Sequence, residues 1–375
     1  MSRISYTGAA LFDGTAFRPG AALVVDDGRV AAIGAPEGEI VDLGGGVLAP
    51  GFVDLQVNGA GGVPVDGRLD PEGIATICDT LARLGTTACL PTLITDTPDA
   101  TAAVLAAGAG AARTGVPGFL GLHLEGPHLD PRRAGAHDPA LIRPMTEADL
   151  ALYLQAARDL PALMITLAPT SATHDQIARL AAAGVIVSLG HAACTADEAQ
   201  AAFAAGAGAV THLFNAMSQL GSREPGLVGA ALTSDSACGL IADGIHVAPQ
   251  ALRVALAARP EGMFLVSDCM ALAGTDAAEM RLGGRRILRR DGRLTLEDGT
   301  LAGADLTLAG AVACLSARAG IAPERALAMA TSVPAAVVGA GGRHGRLVPG
   351  RAADFVHLGP NGAVRRVWRR GRALP

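Results

Sequence analysis

Glu125, His191 and His212 are the residues of this 375-residue chain whose types and placement are best suited to joint chemistry. One carboxylate with two imidazoles is a known ligand set for a catalytic zinc that keeps a coordination position open. Each of the three falls at or just beyond the end of a different apolar run, and Asp268 ends another. An acid placed there can move a proton at the reacting centre. It can equally cap a following helix, a common task for Asp after a strand. One histidine at a strand end is ordinarily structural, and it is the combination that points to a hydrolytic metal centre. His123 shares a strand face with Glu125, because side chains alternate along a strand.

Residues so far apart in sequence meet only if strands carry their ends to one place. Short apolar runs at 52–56, 87–90, 119–124, 163–167, 185–189, 209–212, 240–242 and 264–267 alternate with Ala-rich stretches of helical length. This is the pattern of a parallel sheet covered by helices. Eight such strands predict a closed (β/α)8 TIM-like barrel, whose C-terminal strand ends converge on one mouth. The polar residues ending the runs, among them Gln56, Asn58, Thr92, Thr170, Asp243 and His246, would gather there with the four above. An open doubly wound sheet lacks its fingerprint, since Gly339-Ala340-Gly341 follows a helix-like run and not a strand. The flanks have a different grammar. Asp27-Gly28 between two β-like runs, and Pro360-Asn361-Gly362 between Phe355–Leu358 and Val364–Trp368, predict hairpins. The expected division is a small β-sandwich domain formed by the N- and C-terminal segments (1–49 and 340–375) and a barrel at 50–339, with an inserted hairpin near 285–296 around Asp291-Gly292.

Composition removes several classes of function. Half the residues are hydrophobic and 17% are charged, with 49 glycines and 22 prolines, which suits a turn-rich globular enzyme. An aromatic content of 3% disfavours a stacking platform for single-stranded nucleic acid. A net charge of −5 leaves no basic field for polyanions, and the C-terminal cluster Arg365, Arg366, Arg369, Arg370 and Arg372 is expected to form a solvated strand face. All 30 basic residues are arginine. Schiff-base lysines, Walker lysines and carbamylated-lysine metal bridges are thereby excluded. The six cysteines form no CxxC pair, so a reduced, cytoplasmic setting is expected, with neither zinc ribbon nor thioredoxin-type site. No signal peptide, membrane span or membrane partner is expected.

Long motifs carry a resemblance. GLHLEGPHLDPRRAGAHDP (121–139), VSLGHAACTADEA (187–199), THLFNAMSQLGSREPGLVGAAL (211–232), IADGIHV (241–247) and SDCMALAGT (267–275) resemble the N-acetylglucosamine-6-phosphate deacetylase family of the amidohydrolase superfamily. APGFVDLQVNGAGG (49–62) and GRLVPGRAADFV (345–356) match as well, so the likeness runs nearly end to end. It implies one divalent metal held by Glu125, His191 and His212, with zinc expected first and iron(II), cobalt(II) or manganese(II) as alternatives. Asp268 would take a proton from water and return it to the departing amine, and His137 would assist at the acetamide or a sugar hydroxyl. The sugar phosphate would be held by Asn215, the Ala216 backbone and His246, and by Arg223 reaching across a homodimer. The expected reaction converts N-acetylglucosamine 6-phosphate and water to glucosamine 6-phosphate and acetate, in amino-sugar catabolism or cell-wall recycling.

Two departures bear on these expectations. Gln56-Val57-Asn58 stands where some relatives carry His-x-His and bind two metals, so Gln56 and Asn58, with His123, are candidates only for the surroundings of the ion or for a weak second one. His128 is expected to wall the pocket, with an accessory ligand as the alternative. Competing readings are a relative deacylating another N-acyl sugar or N-acyl amino compound, and an inactive sugar-phosphate-binding barrel; the latter would be expected to lose Asp268 or a ligand.

Overall fold

Phe52–Val57, Leu122–Glu125 and Leu163–Leu167 are buried at every position, which suits strands covered on both faces. The structure, a computed structural model describing residues 3–375, arranges eight such strands in sequence order. They are Phe52–Val57, Thr86–Ile94, Leu122–Glu125, Leu163–Leu167, Ile186–Leu189, Ala209–Val210, Ala237–Leu240 and Met263–Leu265. Each is parallel to the next. The last returns to the first through a parallel bridge between Val57 and Cys269. There the Asp268 amide donates to the Gln56 carbonyl at 3.0 Å, and the Asn58 amide to the Cys269 carbonyl at 2.8 Å. Beneath them Asp54 accepts from the Ser267 amide with both carboxylate oxygens, and burial pushes its carboxyl up to about 7.

The covering helices start where the sequence offers a cap. Thr97 caps Pro98–Thr114, and Thr146, Thr173 and Thr195 open Glu147–Asp159, His174–Ala182 and Ala196–Ala204. The last three form reciprocal boxes with Asp149, Gln176 and Glu198, each satisfying two otherwise orphaned backbone donors.

Strand ends differ from the sequence expectation where the backbone turns. The sixth strand stops at Val210, because His212 takes a φ of 32°; the eighth stops at Leu265, ahead of Asp268 at 52°. The seventh ends at Leu240, where a run to 242 was expected. The expected hairpin is the middle of a four-stranded antiparallel sheet, Glu279–Leu282, Arg285–Arg290, Arg293–Leu296 and Leu301–Ala304. Its apolar side packs Ile287, Leu294 and Ala302 on Met270 and Leu272. Arg289 ties it down, donating to the Thr275 and Leu272 carbonyls at 2.7 Å each and pairing with Asp305 at 3.0 Å.

Segments from both ends of the chain share one of two flanking sheets. Val47–Pro50 lies antiparallel to Phe355–Leu358, and Val364–Arg369 follows next in the same six-stranded sheet. Tyr6 meets the rings of Phe355 and Trp368 edge-on at 5.0 and 5.1 Å. The C-terminal arginines do not all face solvent as expected. Arg365 and Arg366 do, but Arg369 turns inward to Asp79 at 2.6 Å and the Cys78 carbonyl at 3.1 Å. Among the described residues no helix is long and apolar enough to cross a membrane.

Candidate functional site

At the C-terminal mouth of the barrel, a cavity of about 390 Å³ opens between the strand ends and the inserted sheet. Glu125 closes the third strand, while His191 and His212 sit two residues past the fifth and sixth. Gly190 lets the chain make that approach, for a Cβ there would lie 2.8 Å from Thr166 Cγ2. Both histidines have left-handed backbones, as does Asp268, and strain of this kind concentrates at functional sites.

The three ligand atoms converge. Glu125 Oε1 lies 2.9 Å from His212 Nε2 and 3.3 Å from His191 Nε2, and the two nitrogens are 3.1 Å apart. His191 Nδ1 donates to the Arg133 carbonyl at 2.7 Å, so its Nε2 offers a lone pair to a carboxylate. Burial works to raise the Glu125 pKa, but the His191 and His212 contacts outweigh it and hold the carboxylate well below its usual range. Two buried imidazole nitrogens converging on one carboxylate oxygen, with the His191 Nε2 lone pair facing it, form a donor set that fits a divalent metal. Gln56 Nε2 donates to Glu125 Oε1 at 3.1 Å, orienting the carboxylate and presenting an N–H donor where a second cation would need a lone pair.

Asp268 faces the same cavity. Its Oδ1 accepts from Asn58 Nδ2 at 2.7 Å, and burial, reinforced by the Glu125 charge, pushes its carboxyl up to about 6. No helix follows it, so it caps none. The Asn58 Oδ1 atom is buried without a protein partner. His137 Nδ1 accepts from the Thr95 amide at 3.2 Å and meets Thr95 Oγ1 at 2.8 Å, leaving Nε2–H aimed into the site, 3.9 Å from Glu125 Oε2. Burial above all, with the neighbouring histidines adding to it, holds that imidazole neutral, well below its ordinary pKa.

A second group of donors lines the cavity. His212, Phe214 and Ala216 all take positive φ, at 32°, 79° and 49°, a tightly turned segment that brings Asn215 and Ala216 to the cavity wall while the Leu213 and Asn215 amides bond to the Gly239 and His212 carbonyls. Asn215 anchors the turn, its Nδ2 donating to the His212 carbonyl at 3.1 Å. His246 is fixed by Asp243, which accepts from its Nδ1 at 2.6 Å and so leaves Nε2 for the cavity. Arg223 stands apart. It is exposed, does not line the cavity and makes no ion pair among the described residues.

Two expected candidates point elsewhere. Both nitrogens of His123 are spent inside the barrel, Nδ1 donating to the Leu55 carbonyl at 3.1 Å and Nε2 accepting from the Thr166 hydroxyl at 2.7 Å. His128 neither walls the cavity nor has a free lone pair, for Nδ1 donates to the Arg143 carbonyl and Nε2 accepts from the Tyr153 hydroxyl at 2.9 Å. Sequence reasoning missed the orienting Arg133 carbonyl, Thr95, and the wall formed by Leu282, Thr300 and Leu301. A backbone carbonyl carries no signal in residue type. A second strand read four residues longer, to Ile94, would have brought Thr95 to the mouth.

Residues 47–374 match the model of the Amidohydrolase family. The chain is 40% identical to an N-acetylgalactosamine-6-phosphate deacetylase of Shewanella sp. strain ANA-3, over 88% of this chain and 83% of that protein. It is 37% identical to a Mus musculus N-acetylglucosamine-6-phosphate deacetylase, over 84% and 80%. The solved structure of N-acetylglucosamine-6-phosphate deacetylase from Pasteurella multocida superimposes with a TM-score of 0.95 at 31% identity, covering 99% of each chain.

Proposed function

Because the chain belongs to the Amidohydrolase family, we propose that the cavity at its barrel mouth binds N-acetyl-D-glucosamine 6-phosphate and hydrolyses its acetamide, giving D-glucosamine 6-phosphate and acetate in amino-sugar catabolism. The observation that carries this reading is the joining, in one cavity, of a Glu-His-His cluster able to hold a cation, an acid at Asp268 and a polar wall that includes Asn215, Ala216 and His246. One divalent ion, zinc in our reading, would be held by Glu125, His191 and His212. When bound it supplies Lewis acidity, lowering the pKa of water and polarising an acyl oxygen.

The chain's own groups do the rest. Asp268, steadied by Asn58, takes a proton as water oxygen bonds to the acyl carbon. It returns that proton to nitrogen as the C–N bond breaks, so the amine leaves neutral. His137 offers Nε2–H to an oxygen of the acetamide or sugar. Asn215, the Ala216 amide and His246 hold the phosphate. An inactive sensor is disfavoured, since Asp268 and all three ligands are present. The Shewanella relative favours a second substrate, the C4 epimer N-acetylgalactosamine 6-phosphate. Acetate release from the two epimers and from unphosphorylated N-acetylglucosamine tests the reading; equal rates with and without phosphate would overturn it.

The Gln56 donor limits the centre to one ion. Elemental analysis after exhaustive dialysis is expected to find about one tightly held divalent ion per chain. Two retained with comparable affinity would contradict the argument.

We further propose that Arg223 acts across a homodimer, on a loop that also exposes Leu220 at 56%. Arg223→Ala is expected to raise KM for the phosphorylated substrate roughly ten- to a hundredfold, the equivalent of about 1.5 to 3 kcal/mol for a charge-assisted contact, and to leave unphosphorylated substrate almost unaffected. Pairing Arg223→Ala chains with Asp268→Asn chains places both defects in one composite site, so about half of the wild-type dimer activity should return. No recovery in the mixed dimers would show that Arg223 does not act in trans.

A further inference from the structure

The end of the barrel opposite the mouth is ordinarily a stabilising face. Here it carries a cavity of about 480 Å³ between the start of the second strand, the loops that precede the third and fourth strands, and the C-terminal segment. Five guanidinium groups line it, from Arg29, Arg343, Arg351, Arg369 and Arg370, against one carboxylate, Asp354. A second hollow of about 730 Å³ shares Arg29, Arg369 and Arg370 and adds Arg372 against one carboxylate, Asp27. Both volumes fall in the range of small-molecule sites, which favour junctions between structural units.

The charges are mostly left unneutralised. Among the described residues only Arg369 of these has a carboxylate partner, Asp79. Arg29 and Arg351 are pinned by neutral groups, donating from Nη1 to the Gly350 carbonyl at 2.8 Å and the Gly341 carbonyl at 2.7 Å. Their forks are thereby held in place with charge to spare. The Arg343 and Arg370 side chains are exposed and make no hydrogen bond or ion pair among the described residues. Asp354 directs Oδ1 to the Arg370 backbone amide at 2.6 Å. The nearby C-terminus of helix Pro98–Thr114 offsets part of this field, and the Gly115 and Val116 amides cap its Ala112 and Ala111 carbonyls. Val116, Pro117 and Phe119 add an apolar wall.

We propose that this cleft is a second anion site, for a small organic molecule bearing two or more phosphate groups. Planar guanidinium forks match phosphate oxygens bidentately. Several forks spread over two joined hollows suit a pyrophosphate unit better than a single phosphate, with the apolar wall left for a ring or base. Such a ligand would bridge the barrel and the C-terminal sheet, so its binding reports on stability independently of turnover.

Thermal melting and calorimetry at fixed ionic strength, with inorganic phosphate, pyrophosphate and ATP as probes and saturating glucosamine 6-phosphate present to fill the mouth, test the site. Pyrophosphate and ATP are expected to raise Tm saturably by a few degrees, with inorganic phosphate weaker. In the Arg343→Ala/Arg370→Ala double variant their affinity should fall at least tenfold while deacetylation is unchanged. Both side chains are exposed and unpartnered, so the variant keeps its fold, and Arg343→Glu alone should reproduce the loss. Equal affinity in variant and wild type, no saturable shift in wild type, or a shift matched by sodium chloride of the same ionic strength would each overturn the proposal.

Discussion

Asp268→Asn is expected to cut kcat by at least about 10²-fold, the usual worth of a general acid-base group, while leaving the bound ion in place. The substitution keeps shape and an oxygen for Asn58 Nδ2 to meet at its present 2.7 Å, so it removes the proton carrier with little change to the wall. It also leaves Glu125, His191 and His212 untouched, which makes metal content an internal control. KM should change little by comparison, because no phosphate contact is altered. Activity within a few-fold of wild type, or loss of the ion in its stead, would remove Asp268 from the role of proton shuttle.

Stripping the ion by chelation is expected to lower turnover at least about 10³-fold, since several kcal/mol of transition-state stabilisation are lost and each 1.36 kcal/mol is a factor of ten. Glu125→Gln should have the same effect by a different route. It removes the one negative charge on which both imidazoles converge, at 2.9 and 3.3 Å, and the ion should be lost on dialysis. Re-addition of zinc should restore the chelated wild type and not the variant. Chelated protein that keeps a tenth of its activity would show that the centre is not where the chemistry happens.

Much of this site could be inferred from residue order. The candidate ligands Glu125, His191 and His212 and the acid Asp268 end or follow apolar runs, and a barrel leaves such ends only one place to meet. The terminal hairpins were equally legible, because Asp27-Gly28 and Asn361-Gly362 are turn chemistry that hardly depends on context. What escaped prediction depends on long-range packing. His128 follows Glu125 by three residues, yet the chain leaves the strand between them and the ring turns to Tyr153. Arg369 lies in a run of arginines that look alike in sequence, and only the helix carrying Asp79 selects it for burial. The seventh strand shifted because Ile241 and Ala242 are apolar enough for a strand but already belong to the loop leading to Asp243.

The meeting of first and last strands has a consequence for the order in which competence is acquired during folding. Glu125, His191 and His212 come from the third, fifth and sixth strands, a neighbourhood built by local βαβ steps. Asp268 is set by bonds to Gln56 and Asn58, the latter 210 residues away in sequence, and contacts so distant are slow to form because the intervening chain must first be brought round. A chain emerging from the ribosome can therefore bring Glu125, His191 and His212 together while the ends of the barrel are still apart, and Asp268, the proposed proton carrier, joins them only on closure. Turnover is a stricter sign of a finished fold than metal uptake.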